Sequence, residues 1–344
     1  MRRVRVSAPG KIILMGEHAV LYGCPAVVTA LDVRCTVSIT AVEEDTLILA
    51  GKRYVCHEVM AYTRQARHRW LHYQQAPTIS NMSWLHGSDP DHLLKCAVGE
   101  TLEYLQAAPC GLEISVASEI PRNAGFGSSA ALSVAIVMGL LTFFRYPTDA
   151  KTALYLAGES EKRQHGSPSG IDHHTAFHGG TWLIRRNEVG ELLKVPLAAS
   201  LPHLSIFNSG SAAESTGVVV STVREKKHEV LNSLLPDMKN QVNRLVKEVG
   251  KVPPDADILR ECIRSYQSAL EQLGVVPKPV QDIIRDVEEM GGAAKISGAG
   301  SLTGHGAGGI VAWLPSGMPE AIHRWSSVHA NLEATGVRIE QDEG

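Results

Sequence analysis

No Cys-x-x-Cys pair occurs among the six cysteines, at positions 24, 35, 56, 96, 110 and 262. That spacing argues against a zinc site and a disulfide framework, so the thiols are read as reduced and mostly structural, as in a cytosolic protein. No long basic block occurs, and the net charge is −3, which disfavours nucleic acid or an anionic membrane surface as the main partner. The opening stretch, Met1-Arg-Arg-Val-Arg-Val-Ser-Ala-Pro-Gly-Lys11, has no apolar core of signal-peptide length before its helix breakers. The longest nearly apolar run, 130–144, carries Ser133 and Thr142. It is short for a membrane span and suits a buried helix. Internal repeats and low-complexity tracts are absent. No Walker loop is present, because no lysine follows the central glycines at the required place.

What is there fits a folded protein with one large or two ordinary domains. The chain has 344 residues, 44% apolar and 20% charged, with 31 Gly and 17 Pro. Strands are expected at 3–7, 11–15, 25–30, 33–40, 111–118, 179–185, 204–208, 310–314 and 336–341. A hairpin is expected over 46–55, turning at Gly51-Lys52. Helical spacing marks 58–75, 93–105, a long apolar helix from 130, and 148–165 with Thr148-Asp149 as its cap. Further helices are expected at 215–234 and 238–249, either side of Pro236, and at 256–273, 279–290 and 319–329. Residues 76–90 read as a loop and 291–309 as a glycine-rich loop. The elements follow no regular βαβ beat, so the expected class is α+β. Punctuation by Arg185-Arg-Asn-Glu-Val-Gly190, Pro196 and Pro202 suggests two domains, 1–190 and 191–344. Of fifteen histidines, His57, His68, His72, His86 and His92 lie in a polar stretch without carboxylate or cysteine partners, and read as a solvated helical segment.

The stretch most suggestive of chemistry is Asn123-Ala-Gly-Phe-Gly-Ser-Ser129, between a strand and the long apolar helix. Glycines let the backbone adopt positive φ and approach a ligand closely. The first N–H groups of the following helix lack intrahelical partners, and its dipole adds about half a positive charge there. A phosphate satisfies both. Ser128 and Ser129 add hydroxyls able to cap the helix or touch a metal. An ordinary strand, turn and capped helix would look similar.

Two further glycine-bearing segments accompany it. They are Ala8-Pro-Gly-Lys-Ile-Ile-Leu-Met-Gly-Glu-His-Ala-Val-Leu-Tyr-Gly23 and Lys295-Ile-Ser-Gly-Ala-Gly-Ser-Leu-Thr-Gly-His-Gly-Ala-Gly-Gly-Ile310. Together the three resemble the motifs of the GHMP small-molecule kinases, and residues 8–23 are similar nearly throughout to the first motif of the mevalonate kinases. Glu161-Lys-Arg-Gln-His-Gly-Ser-Pro-Ser-Gly-Ile-Asp172 also resembles the mevalonate kinase pattern, in which a Glu precedes an Asp by eleven residues. Alone, Glu161 sits on a charged helix and reads as a solvated face.

The resemblance implies a two-domain architecture: an N-terminal part like domain 2 of ribosomal protein S5 and a ferredoxin-like C-terminal part. It implies ATP-dependent phosphorylation of the primary hydroxyl of mevalonate. Asp172 would be the general base and Lys11 the cation beside it. Residues Asn123, Ala124, Gly125, Phe126, Gly127, Ser128 and Ser129 would cradle ATP. Ser129 and Glu161 would hold Mg²⁺. Glu17, His18, Thr216, Gly298 and Ala299 would line the acceptor site. A cytoplasmic location is implied, with no nucleic acid and no membrane, and dimers are common in the family.

The sequence departs from the family pattern in several places. Asn123 stands where Gly is usual, Phe126 replaces Leu, Leu132 replaces a Tyr, and Glu214 stands where an Arg often precedes the Ser-Thr pair. The third motif is lengthened by Leu302-Thr-Gly-His-Gly-Ala307. Rival readings are a kinase of another acceptor, such as phosphomevalonate or a sugar, and a silent ligand sensor, which would have lost Lys11, Glu161 or Asp172. A third is a phosphoesterase, suggested by Asp172-His173-His174 alone.

Overall fold

The computed structural model describes residues 2–42, 46–85, 89–107, 111–187, 191–198, 204–314 and 320–344. Its architecture is mixed α/β, built on two antiparallel-dominated sheets. The first carries β1 (Arg3–Met15), β2 (Ala26–Ala41), β3 (Leu47–Leu49), β4 (Lys52–Tyr54), β5 (Leu112–Ser118), β6 (Thr181–Arg186), β7 (Leu192–Pro196) and β12 (Arg338–Glu343). Its main order is β12-β1-β2-β5-β3-β4, with β6 added to the start of β2 and β7 to β6. The second runs β11 (Ser326–Ser327), β8 (Ser205–Asn208), β10 (Gly309–Trp313), β9 (Ala293–Ser297).

The pairs of strands expected at 3–7 and 11–15, and at 25–30 and 33–40, are each one long strand. β1 and β2 pair antiparallel along their length, and the register shifts between Pro9 and Gly10 absorb the turn signal as a bulge. Gly10 fits there because Phe126 O would lie 3.0 Å from an added Cβ.

The helix α4 (Ser128–Phe143) is buried along nearly its whole surface. An all-apolar helix has no face to give to water, so it lies at the centre. It packs on β1 and β2 and against α3 (His92–Tyr104), α5 (Ala150–His165) and α6 (Ile171–His178). This holds the central loop, at the start of α4, beside β1 and the start of α6. One continuous apolar core joins both sheets, from Val4 and Ile39 to Ile296 and Ile310.

Several expectations are corrected. The stretch 76–90 contains a short helix, α2 (Ile79–Leu85), whose Met82 and Leu85 are buried with Tyr73. Pro236 lies inside α8 (His228–Val249), and the break from α7 (Thr216–Lys226) falls at Lys227. A proline sacrifices one backbone bond there, while the buried face of Leu231, Met238, Val242 and Leu245 continues through it. The helices expected at 256–273 and 279–290 are α9 (Ala256–Leu273) and α10 (Lys278–Glu289). β9 was hidden inside the glycine-rich stretch, and the helix expected at 319–329 is a 3₁₀ turn, Glu320–Arg324, followed by β11.

His92 is also not solvated. It is buried, with Nε2 3.1 Å from Arg163 O and Nδ1 2.9 Å from Tyr62 Oη. Its neighbour α1 (Cys56–Gln75) keeps His57 and His72 exposed, and His86 lies outside the described residues. Cys24, Cys35, Cys56, Cys96 and Cys262 are buried thiols, whereas Cys110 is not among the residues described. The expected division after residue 190 also falls outside them. Both β7 and β12 belong to the first sheet. Among the described residues, no helix is long and apolar enough to cross a membrane.

Candidate active site

A cleft of about 740 Å³ is lined by the first motif, the central loop, the 167–173 turn, the start of α7 and residues 298–299. Every site residue expected from the sequence lines it: Lys11, Glu17, His18, residues 123–129, Glu161, Asp172, Thr216, Gly298 and Ala299.

Lys11 follows the bulge of β1, where its N–H donates to Phe126 O at 2.9 Å. Its side chain is 5% exposed, and its Nζ lies 3.2 Å from Asp172 Oδ2. Asp172 is in the first turn of α6, which starts from Gly170 in the left-handed region at φ 77°. A buried ammonium and a carboxylate are thereby held in contact at the foot of the central loop.

That loop is shaped by three positive φ angles: Asn123 at 53°, Gly125 at 74° and Gly127 at 73°. Asparagine tolerates this region better than most side chains, which explains how Asn123 can stand there. The two glycines are required by space as well. An added Cβ would lie 2.7 Å from Ser297 O at position 125, and 2.7 Å from Lys11 Cγ at position 127. Gly309 N–H donates to Ala124 O at 2.7 Å, so the central loop is fastened to the third glycine segment.

Ser129 Oγ lies 3.2 Å from Glu161 Oε2 and 3.0 Å from His165 Nε2, and Ser133 Oγ donates to Glu161 Oε1 at 3.3 Å. Glu161 is buried rather than solvated, because α5 turns this face onto α4. Burial, and then the nearby Asp172 carboxylate, push Glu161 up to about 8. The Glu161 carboxyl and the Ser129 hydroxyl are a pair of oxygen donors, and a hard divalent cation would favour the ionised form of Glu161 that burial opposes. Among the described residues, no group of three or more His, Cys, Asp or Glu side chains is placed to hold a metal by itself.

Just past β1, Glu17 is sealed from solvent and ion-paired with Lys295 Nζ, which also donates to Ile296 O at 2.6 Å. Tyr266 Oη donates to Glu17 O at 2.9 Å. His18 has φ 57°, and its Nε2 lies 3.0 Å from Ala299 O. A carbonyl only accepts, so Nε2 carries the proton there. Burial lowers the affinity of His18 for a second proton. Thr216 opens α7, capped by Ser215, whose hydroxyl accepts from Val218 N–H at 3.4 Å. The residues not anticipated are His165, beside Ser129, Lys295, paired with Glu17, and Arg224, which lines the cleft. Lys295 heads the third motif and His165 sits within the Glu161–Asp172 segment, so both were in view without a role.

Asp172, His173 and His174 do not form a metal cluster. His173 and His174 are buried, and burial followed by the Lys194 ammonium lowers them to about 4 and about 3.

The model of the GHMP kinases N terminal domain matches residues 92–180, the span that holds the central loop, Glu161 and Asp172, and the chain is a small-molecule kinase of the GHMP class. The chain is 32% identical to a mevalonate kinase of Archaeoglobus fulgidus over 335 residues, covering 97% of this chain and 99% of that relative. This chain belongs to the mevalonate kinase family. Its fold is similar to that of the Methanococcus jannaschii mevalonate kinase, with TM-score 0.71, 19% identity and 98% of both chains covered. It is also similar to L. major mevalonate kinase in complex with R-mevalonate, with TM-score 0.66, 21% identity, and 94% and 89% covered.

Proposed function

We propose that this chain transfers the γ-phosphoryl group of ATP to the primary hydroxyl of mevalonate, giving 5-phosphomevalonate and ADP. The observation that carries this reading is the Lys11–Asp172 contact at the foot of the glycine loop, in a chain aligned end to end with a mevalonate kinase.

Phosphoryl transfer demands positioning and charge neutralisation more than covalent work by the protein. Asp172 accepts the proton of the attacking hydroxyl as general base. Lys11, held beside it, stabilises the developing alkoxide and the charge on the transferring group. The N–H groups of the central loop and of the first turn of α4 bind phosphate oxygens. Ser129 and Glu161 would hold Mg²⁺, which would neutralise phosphate charge. His18, Thr216, Gly298 and Ala299 form the acceptor wall, and Glu17 supports it from beneath. The buried thiols accord with a reducing, cytoplasmic location.

The test is an ADP-release assay of purified protein with Mg²⁺, ATP and, in turn, mevalonate, phosphomevalonate, galactose and homoserine. Mevalonate is expected to give the highest kcat/KM. A clear preference for another acceptor overturns the assignment.

A further inference from the structure

Two departures from the family pattern, Glu214 and the lengthened third glycine segment, meet in space. Glu214 Oε2 accepts from Leu302 N–H at 3.0 Å, and Glu214 Oε1 accepts from Thr303 Oγ1 at 2.6 Å. Ser301 Oγ accepts from Ala213 N–H at 3.0 Å, and its proton has two acceptors within reach: Glu214 Oε2 at 2.6 Å and Thr303 O at 2.9 Å. Partial burial opposes ionisation of Glu214, but the Ser301 and Thr303 hydroxyls and the loop N–H groups outweigh it and hold its carboxyl below the usual range. The carboxylate is therefore occupied by the loop and is not a charge presented to the acceptor.

Both ends of this contact lead into the cleft. Glu214 lies two residues before Thr216, at the start of α7. Ser301 lies two residues after Ala299, whose carbonyl accepts from His18. On its other side the loop is tied by Ser301 N–H to Val275 O at 2.9 Å. Without the Glu214 carboxylate, residues 301–303 keep this tether and the Ala213 N–H bond to Ser301 Oγ, but lose the bonds from Leu302 N–H and Thr303 Oγ1 that fasten them to the start of α7.

We propose that Glu214 is a positioning residue for the acceptor half of the cleft, clamping the lengthened glycine segment to the start of α7 so that Ala299, His18 and Thr216 keep one arrangement. The clamp rests on the functional reading above and adds what sets the geometry of its acceptor wall. Glu214's own hydrogen bonds go to residues 301–303, next to Ala299, and none goes to Asp172 or to the central loop, which is joined to this region separately through Ala212 N–H to Asn123 O at 3.4 Å, so the clamp acts on acceptor binding more than on ATP binding or chemistry.

The experiment compares wild type, E214A and E214Q, each with Mg²⁺, at varied mevalonate and at varied ATP. E214A removes several charge-assisted hydrogen bonds, and is expected to raise KM for mevalonate about tenfold or more, with KM for ATP within about twofold and kcat within about threefold. E214Q keeps the length and one acceptor oxygen, and should recover part of the loss. T303V, which removes a donor from the other side, should shift the same constant in the same direction and add little to E214A. A folded E214A with an unchanged KM for mevalonate overturns the clamp, as does an equal rise in both KM values. If E214A does not fold, T303V decides, and an unchanged KM there overturns it. Absence of mevalonate turnover in wild type overturns both readings, whereas normal wild-type turnover with an unaffected variant overturns the clamp alone.

Discussion

Glu17 and Lys295 form an ion pair whose side chains are 1% and 0% exposed, although 278 residues of chain separate them. Glu17 follows β1 in the first sheet and Lys295 sits in β9 of the second, so the pair joins the two sheets next in the chain to His18. Burial pushes the Glu17 carboxyl up and the Lys295 ammonium down, against their mutual attraction. Breaking such a pair from one side leaves a buried charge unmatched. K295M should therefore lose about 3–5 kcal/mol of stability, whereas the double variant E17Q/K295M should lose much less. Denaturant unfolding of K295M, E17Q and the double variant checks this. Additive losses would show that the two groups are not coupled.

Asp172 is 35% exposed and Lys11 is 5% exposed, so the base is accessible to an acceptor while its cation is enclosed. D172N should lower kcat by about a hundred- to ten-thousandfold, the range for loss of a positioned general base. Its KM for ATP should change little, because the phosphate loop is untouched. Steady-state kinetics on folded protein decides. A kcat near wild type would remove Asp172 from the chemistry.

Glu161 should trade stability for metal binding. Its folded form titrates near 8 and its unfolded form near 4.5. The stability it contributes is full below the unfolded value and is lost as pH rises through the folded one. E161Q should match wild type in unfolding free energy near pH 5. Near pH 9, without metal or nucleotide, it should be the more stable by on the order of 3–5 kcal/mol. The same variant should have little activity. An equal effect at both pH values would contradict the buried carboxylate.

The glycine loop gives a pair of opposite outcomes. N123G relieves a side chain held at positive φ, and should be neutral or stabilising by about 1 kcal/mol or less, with activity kept. G125A drives a methyl against the Ser297 carbonyl. It should raise KM for ATP at least about tenfold, since a displaced loop loses its phosphate contacts. Calorimetry and ATP titration separate the two. A neutral G125A would show that the loop adapts.

The parts of the fold that sequence revealed were those carried by local pattern. The apolar periodicity of 93–105 and 256–273, the alternation of 33–40 and the glycine spacing of the motifs all correspond to elements of the structure. What escaped depends on tertiary packing. The charged face of α5 hides a buried Glu161, because only contact with α4 decides which of its carboxylates leaves water. Glu159, two positions earlier, pairs instead with Arg163. Pro236 looked like a boundary, yet the buried face of α8 continues past it. Lys295 was visible at the head of its motif, but its partner lies across the molecule.

The most direct measurement is identification of the product that wild-type protein makes from mevalonate and Mg²⁺-ATP, with D172N in parallel. Stoichiometric ADP and 5-phosphomevalonate are expected, with the phosphoryl group on the primary hydroxyl, and almost no product from D172N. No phosphorylated mevalonate, phosphorylation at another oxygen, or equal product from D172N would contradict the proposed function.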